Sequence, residues 1–219
     1  MKRVLAIMVL AVMFALPGLA SAQGSGMYLA PKFLMSFQDT GNMSRSQGGM
    51  GVDDYNQFTL GGALAVGYDF WPQQLLPLRV ELELALRGNS DKGWDGPRGS
   101  VSGTWNNTTL FANLFWDFHN DSAFTPYVGG GLGMAFNYTG YDIRTETDNF
   151  SMDEQSTNFA WNLGAGFAYQ FNENLALDAA YRFVGLGHNE VSANIGSTEY
   201  KISNNPYNNE FMLGLRFSF

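Results

Sequence analysis

The 219-residue chain contains no cysteine. Disulfides, thiolate metal sites and cysteine nucleophiles are therefore excluded, and the fold must be held by sheet closure or packing. Histidine occurs twice, at His119 and His188. With the two so far apart, no histidine pair is expected for a metal site or a proton relay. Basic residues are scarce: 12 Lys and Arg stand against 20 Asp and Glu, for a formal charge of −8. That balance argues against a nucleic-acid partner, because phosphate binding needs a basic surface. No stretch after the N-terminal region approaches the roughly 18 consecutive apolar residues of a membrane-spanning helix. Membrane residence, if any, must come through strands.

The N-terminal region has its own pattern. Lys2 and Arg3 precede an unbroken apolar run, Val4 to Leu16, and Ala20-Ser21-Ala22 supplies small residues for cleavage. This is the pattern of a secretory signal peptide over residues 1–22, and the run is too short to span a bilayer as a helix. The remainder, 23–219, is long enough for one domain and short for two. Loss of Lys2 and Arg3 takes the formal charge from −8 to −10.

What the chain has in quantity is aromatic residues, 15% of the total, and 26 glycines, arranged in alternating segments with polar, Gly-rich intervals. This predicts an all-β fold. Eight strands are expected, over 27–38, 57–70, 78–87, 105–118, 127–139, 158–171, 175–184 and 209–219. The short connections are "WPQQLLP", "HNDSAFTP" and "NEN"; the long ones are 39–56, 88–104, 140–157 and 185–208. Alternation of short turns with long loops predicts an eight-stranded antiparallel up-and-down transmembrane β-barrel with every long loop on the extracellular side.

The segment "LRVELELALRG", Leu78 to Gly88, decides which face meets water. Leu, Val, Leu, Leu and Leu alternate with Arg79, Glu81, Glu83, Ala85 and Arg87, so one strand face is hydrocarbon and the other is nearly all charge. In several other strands the apolar parity is too bulky for an eight-stranded lumen, which only just admits side chains. Phe58, Leu60, Leu64 and Val66, or Phe159, Trp161, Leu163 and Phe167, must then face lipid. Their small or polar neighbours Gly61, Ala63, Gly129, Gly131, Gly133, Asn162 and Gly164 face inward.

Charge supports the same assignment, since an ionised side chain facing lipid costs about 2–4 kcal/mol near the midplane. None of the thirty Asp, Glu, Lys and Arg residues beyond position 22 falls on the lipid-facing parity. Eleven point into the lumen: Lys32, Asp69, Arg79, Glu81, Glu83, Arg87, Asp117, Asp178, Arg182, Glu210 and Arg216. Five basic and six acidic groups in a confined space should pair. A register whose partner numbers sum to 196 sets Arg79 opposite Asp117, Glu83 opposite Asn113 and Arg87 opposite Thr109. Asp178 should approach Arg216, and Arg182 should approach Glu210. Aromatic girdles are expected at both rims, with Phe70, Trp71, Trp116, Phe118, Tyr169, Phe171, Phe217 and Phe219 on the periplasmic side. Phe37, Phe58, Tyr138, Phe159, Trp161, Phe183 and Phe211 belong to the outer one. Pro31 sits badly inside a strand and predicts a bulge or a later strand start.

The stretches "LRVELEL", "TLFANLFWDF", "TPYVGGGLGMAF" and "LDAAYRF", with the terminal "LGLRFSF", resemble the small bacterial outer-membrane barrels. That family includes the opacity proteins and the transmembrane domain of OmpA-type proteins. The resemblance covers essentially all of 23–219 and implies a bacterial outer-membrane location. It also implies that the terminal aromatics Phe217 and Phe219 form the insertion signal read by the barrel-assembly machinery. No peptidoglycan-binding domain is expected after the barrel. Function does not follow from the family alone, because these barrels serve many ends.

No motif implies a cofactor or a catalytic centre. "GGGLG", Gly129 to Gly133, lacks the Lys-Ser/Thr of a phosphate loop and suits a narrow lumen instead. "HNEVS", His188 to Ser192, groups a histidine, an acid and a hydroxyl, but not at the spacing of the family's lipid A deacylases. "DNFSMDE", Asp148 to Glu154, has the wrong spacing for a calcium-binding EF-hand. The long loops hold twelve acids and five bases, which would share divalent cations with lipopolysaccharide. The expected role is a surface scaffold whose loops serve adhesion, envelope integrity or contact with a host ligand. A narrow porin-like channel is the alternative and a lipid A-modifying enzyme a remote one.

Overall fold

Long alternation of bulky with small or polar side chains is satisfied by extended backbone with two unlike faces, and that is what forms. The computed structural model describes residues 25–39, 44–45, 56–96, 99–145, 149–187, 189–195, 198–204 and 206–219. The expected signal segment, 1–22, lies outside these. In chain order the strands are β1 (Met27–Asp39), β2 (Ser44–Arg45), β3 (Asn56–Asp69), β4 (Leu78–Arg87), β5 (Ser90–Gly96), β6 (Gly99–Asp117), β7 (Phe124–Thr145), β8 (Asn149–Asn172), β9 (Leu175–Gly185), β10 (Asn189–Ile195), β11 (Thr198–Asn204) and β12 (Tyr207–Ser218). Strands β1, β3, β4, β6, β7, β8, β9 and β12 form a closed eight-stranded antiparallel barrel in up-and-down order. The β1–β12 ladder joins the two ends of the chain, and the β4–β6 ladder completes the ring.

All eight expected strands are present, and the long connections carry more strand than their composition suggested. The β7–β8 ladder runs without a shift from Phe124↔Tyr169 to Arg144↔Asn149, far past the expected strand ends. Strand β5 pairs with the outer part of β6, and β10, β11 and β2 form a small separate sheet. Polar residues such as Thr, Ser and Asn extend a hairpin as well as apolar ones do where no bilayer selects against them.

The three turns on the opposite rim close through Asx geometry, in which a side-chain oxygen takes the amide two residues on. Asp69 Oδ1 accepts from the Trp71 amide at 2.9 Å, Asn120 Oδ1 from Ser122 at 2.9 Å, and Asn172 Oδ1 from Asn174 at 3.0 Å. After Asp69 the chain makes one helical turn, α1 (Trp71–Gln74), ended by Leu75 in the left-handed region at φ 53°.

Pro31 produces neither a bulge nor a late start. Its pairing with Leu64 of β3 is in register, and the β1–β12 ladder skips Ala30 and Pro31 and resumes at Lys32↔Gly214 without shifting. The missing N–H is tolerated as a local gap in one ladder. The chain end is tied down: the Ser25 amide donates to Phe219 O at 2.9 Å and the Phe219 amide to Met27 O at 3.0 Å.

Burial follows the expected parity. Leu82, Leu132, Phe159 and Leu163 are each 57–63% exposed, whereas Arg79, Glu83, Arg87 and Glu210 are at most 2% exposed. The aromatic girdles also form. Phe37 lies 5.0 Å from Phe58 and 6.4 Å from Phe211 at the long-connection rim, and Tyr169 lies 5.4 Å from Phe171 at the turn rim. Trp71 has a further contact: its ring stacks on His119 at 3.9 Å and 6°. An Arg placed at Leu82 should cost about 2–4 kcal/mol of folding free energy in lipid vesicles. Urea unfolding of Leu82→Arg checks this, and Ala112→Arg on the neighbouring strand should behave alike.

Candidate functional site

The lumen is where the sequence concentrates its charge, and the strands bring most of those groups into one connected chain. Arg79 of β4 grips Asp117 of β6 with two bonds, Nε to Oδ2 at 3.0 Å and Nη2 to Oδ1 at 3.2 Å. Its Nη1 donates to Tyr28 Oη at 3.3 Å, and Tyr28 donates in turn to Glu81 at 3.0 Å. Lys32 Nζ bridges Glu81 at 2.5 Å and Glu83 at 2.8 Å. Glu83 takes Arg182 Nη1 at 2.5 Å, Arg182 Nε reaches Glu210 at 2.7 Å, and Glu210 also accepts Arg87 Nε at 2.5 Å. Arg87 ends the chain on Thr109 Oγ1 at 3.2 Å. Beside it, Tyr127 donates to Asp178, whose other oxygen accepts from Arg216 at 3.0 Å. The connection thus crosses from β6 through β4 and β1 to β9 and β12, over the barrel axis.

Of the eleven predicted lumen residues, eight are bonded into this chain, Asp178 and Arg216 pair beside it, and Asp69 stands apart at the turn rim, where it accepts the Trp71 amide. Both last-seam pairs form as expected. The predicted β4–β6 register does not: Arg79 lies opposite Phe115, Glu81 opposite Asn113 and Glu83 opposite Phe111, so partner numbers sum to 194. A shift of two residues leaves every side chain on its face, so parity could not detect it. Arg79 still finds Asp117, and Arg87 still finds Thr109, as diagonal neighbours within reach of a long side chain. No contact between Glu83 and Asn113 is among these bonds; Asn113 Oδ1 instead accepts from Asn162 at 2.9 Å.

The lumen also holds bulky groups that the reading of its wall as small or polar missed. Tyr28, Phe111, Phe115 and Tyr127 point inward, and each faces a glycine across the ladder: Gly67, Gly133, Gly129 and Gly166. A Cβ at Gly67 would come within 2.1 Å of the Tyr28 ring, and one at Gly129 within 2.3 Å of Phe115. The Arg79 guanidinium lies 4.4 Å from the Phe115 centroid and 4.8 Å from Tyr127, so the rings sandwich part of the ionic chain. Phe111, Ala135, Ala160, Val184 and Leu186 add an apolar cluster, and Leu34, Ala63, Ala85 and Met212 another. The signal was present in the inward parity of Phe111 and Phe115 against the Gly129–Gly133 run. A cavity of about 30 Å³ remains beside Lys32, Glu83, Asp178 and Arg182, enough for one or two water molecules.

This inside-out distribution, with salts on the axis and hydrocarbon outside, is that of a barrel dissolved in lipid. A family model described as "Outer membrane protein beta-barrel domain" matches residues 6–219. The chain belongs to that family. It is a bacterial outer-membrane barrel. Among its relatives, outer membrane protein PagN of Salmonella typhimurium is 33% identical over 184 residues, covering 77% of this chain and 76% of that protein. The solved structure of Neisserial surface protein A is similar in fold, with TM-score 0.53 and 18% identity over 89% of this chain and 97% of that one. OprG from Pseudomonas aeruginosa gives TM-score 0.54 and 18% identity over 89% and 96%. Both structural likenesses carry the fold alone.

The remaining candidates are readily placed. Gly129–Gly133 lies within β7 and opens no helix. Phe217 pairs with Leu29 across the β1–β12 seam and with Leu175 of β9 on its other side, and Phe219 follows it at the turn rim. His188 lies outside the described residues, as do Asp148 and the side chains of 189–192 and 152–154. Removing one member of a fully buried ion network strands its partners, at about 3–5 kcal/mol. Glu210→Ala should therefore lose that much, since both Arg87 and Arg182 depend on it, and lower the temperature at which the unboiled protein loses its compact gel band. A melting temperature equal to wild type would contradict the geometry.

Proposed function

We propose that the barrel is a closed membrane scaffold that presents its long connections at the cell surface for adhesion or contact with a host or abiotic surface. The observation that carries this is the unbroken ionic chain from Asp117 to Thr109 across the barrel axis. A solute passing through would have to break several charge-assisted bonds at once. The Gly-rich walls, which by themselves would suit a narrow channel, are covered by Phe111, Phe115 and Tyr127 from neighbouring strands. In this reading the protein works by display and not by catalysis. Residues 1–22 direct export, and the assembly machinery reads Phe217 and Phe219. The acidic connections meet lipopolysaccharide through shared divalent cations.

The refolded barrel in planar bilayers should give no steady single-channel current. Bacteria expressing the full protein should adhere to surfaces or cells, and shortening the β7–β8 hairpin or the 185–208 connection should reduce adhesion while the barrel still folds. Steady conductance, or adhesion indifferent to every loop deletion, would overturn the reading.

A further inference from the structure

Counting histidines in the sequence argued against a metal site, but the fold supplies carboxylates to one of them. At the turn rim, Asp69 from the end of β3, Asp117 from the end of β6 and His119 just beyond it bring one ligand atom each to within 4.8 Å of one another. From these we infer a divalent metal site of the zinc class on the periplasmic rim of the barrel.

Four features of the surroundings favour it. The His119 ring is held flat against Trp71 at 3.9 Å, so its direction is fixed in advance. Its Nδ1 is shielded from solvent and has no hydrogen-bond partner among the described residues. Asp117 is buried and oriented by two bonds from Arg79, the outer-layer support that ligating carboxylates usually have. Asp69 is part-exposed and is held at this rim by the bond its Oδ1 accepts from the Trp71 amide. Bonds of about 2.0–2.2 Å to oxygen and nitrogen need ligand atoms closer than 4.8 Å, so in this inference the ion draws the three side chains together on binding.

Ligand chemistry narrows the ion. An imidazole nitrogen disfavours calcium and magnesium, which take oxygen ligands. The absence of sulfur disfavours copper(I). Two carboxylates, with Arg79 neutralising one, leave a single net negative charge beside the imidazole, which suits Zn²⁺ or Co²⁺ with water completing the shell. Such an ion would tie the β3 end to the β6 end and brace two turns that otherwise meet through the Trp71–His119 stack.

The test uses the untagged 23–219 protein, refolded in detergent and freed of metal. Isothermal titration with Zn²⁺ should show one ion per chain, and Co²⁺ should quench the Trp71 contribution to fluorescence through the stacked ring. His119→Ala and Asp69→Asn, each checked for a folded gel band, should weaken zinc binding by at least about tenfold. His188→Ala, which changes the other histidine, should leave it unaltered. Absence of saturable zinc uptake overturns the inference. So does uptake that persists in both rim variants or follows His188, since the ion would then be adventitious.

Discussion

At bilayer depth no water is available to a backbone N–H or C=O, so the sheet must have no edge. In this chain the requirement falls on the seam between β1 and β12, where residues nearly two hundred positions apart become neighbours. The terminal Phe219 is bound into that seam through its amide and carbonyl, so the last residue closes the same ring that Met27 opens. Pro31 lies on this seam and costs it a short gap, which is tolerated because the ladder resumes in the same register. The long-connection rim is freer, and there the strands run on as hairpins with no lipid to choose their side chains.

Closure with eight strands leaves a lumen too narrow for ordinary packing from both sides. The molecule meets this by pairing the inward rings of Tyr28, Phe111, Phe115 and Tyr127 with glycines opposite them, as Tyr28 with Gly67 and Tyr127 with Gly166. Space made in this way is what allows charged side chains to lie across the axis. Once enclosed, those charges have no alternative to one another, and the network that results fixes the strands around it. Glu210 is the most committed member, taking Arg87, Arg182 and Ser36 from three other strands. A filled axis also explains why the functional reading moves outward to the connections.

Much of this was legible beforehand. Leu78–Arg87 announced its two faces, and the eleven charges assigned to strands all carried the inward parity. The three short turns were legible as the brief breaks WPQQLLP, HNDSAFTP and NEN, whereas Asp69, read as a lumen charge, proves to close one of them. The β4–β6 register was not legible, because a two-residue slide preserves parity and only the shared geometry of all eight ladders selects one. The inward aromatics were overlooked for a related reason: on its own strand Phe115 looks too large for the lumen, and it fits only because Gly129 stands beside it. His119, read as an isolated turn residue, acquires two carboxylates only when the ends of β3 and β6 are brought side by side.

By itself, then, the order of residues determined which face of each barrel strand meets lipid, how many strands the barrel has and that charge must be gathered at the axis. These follow from the two-residue period of a strand and the cost of charge in hydrocarbon, both local matters. Which charge meets which, which glycine receives which ring and what gathers at the turn rim were decided by the closed barrel. Each depends on the relative slide of strands distant in the chain, and that slide is set by closure of the whole ring at once.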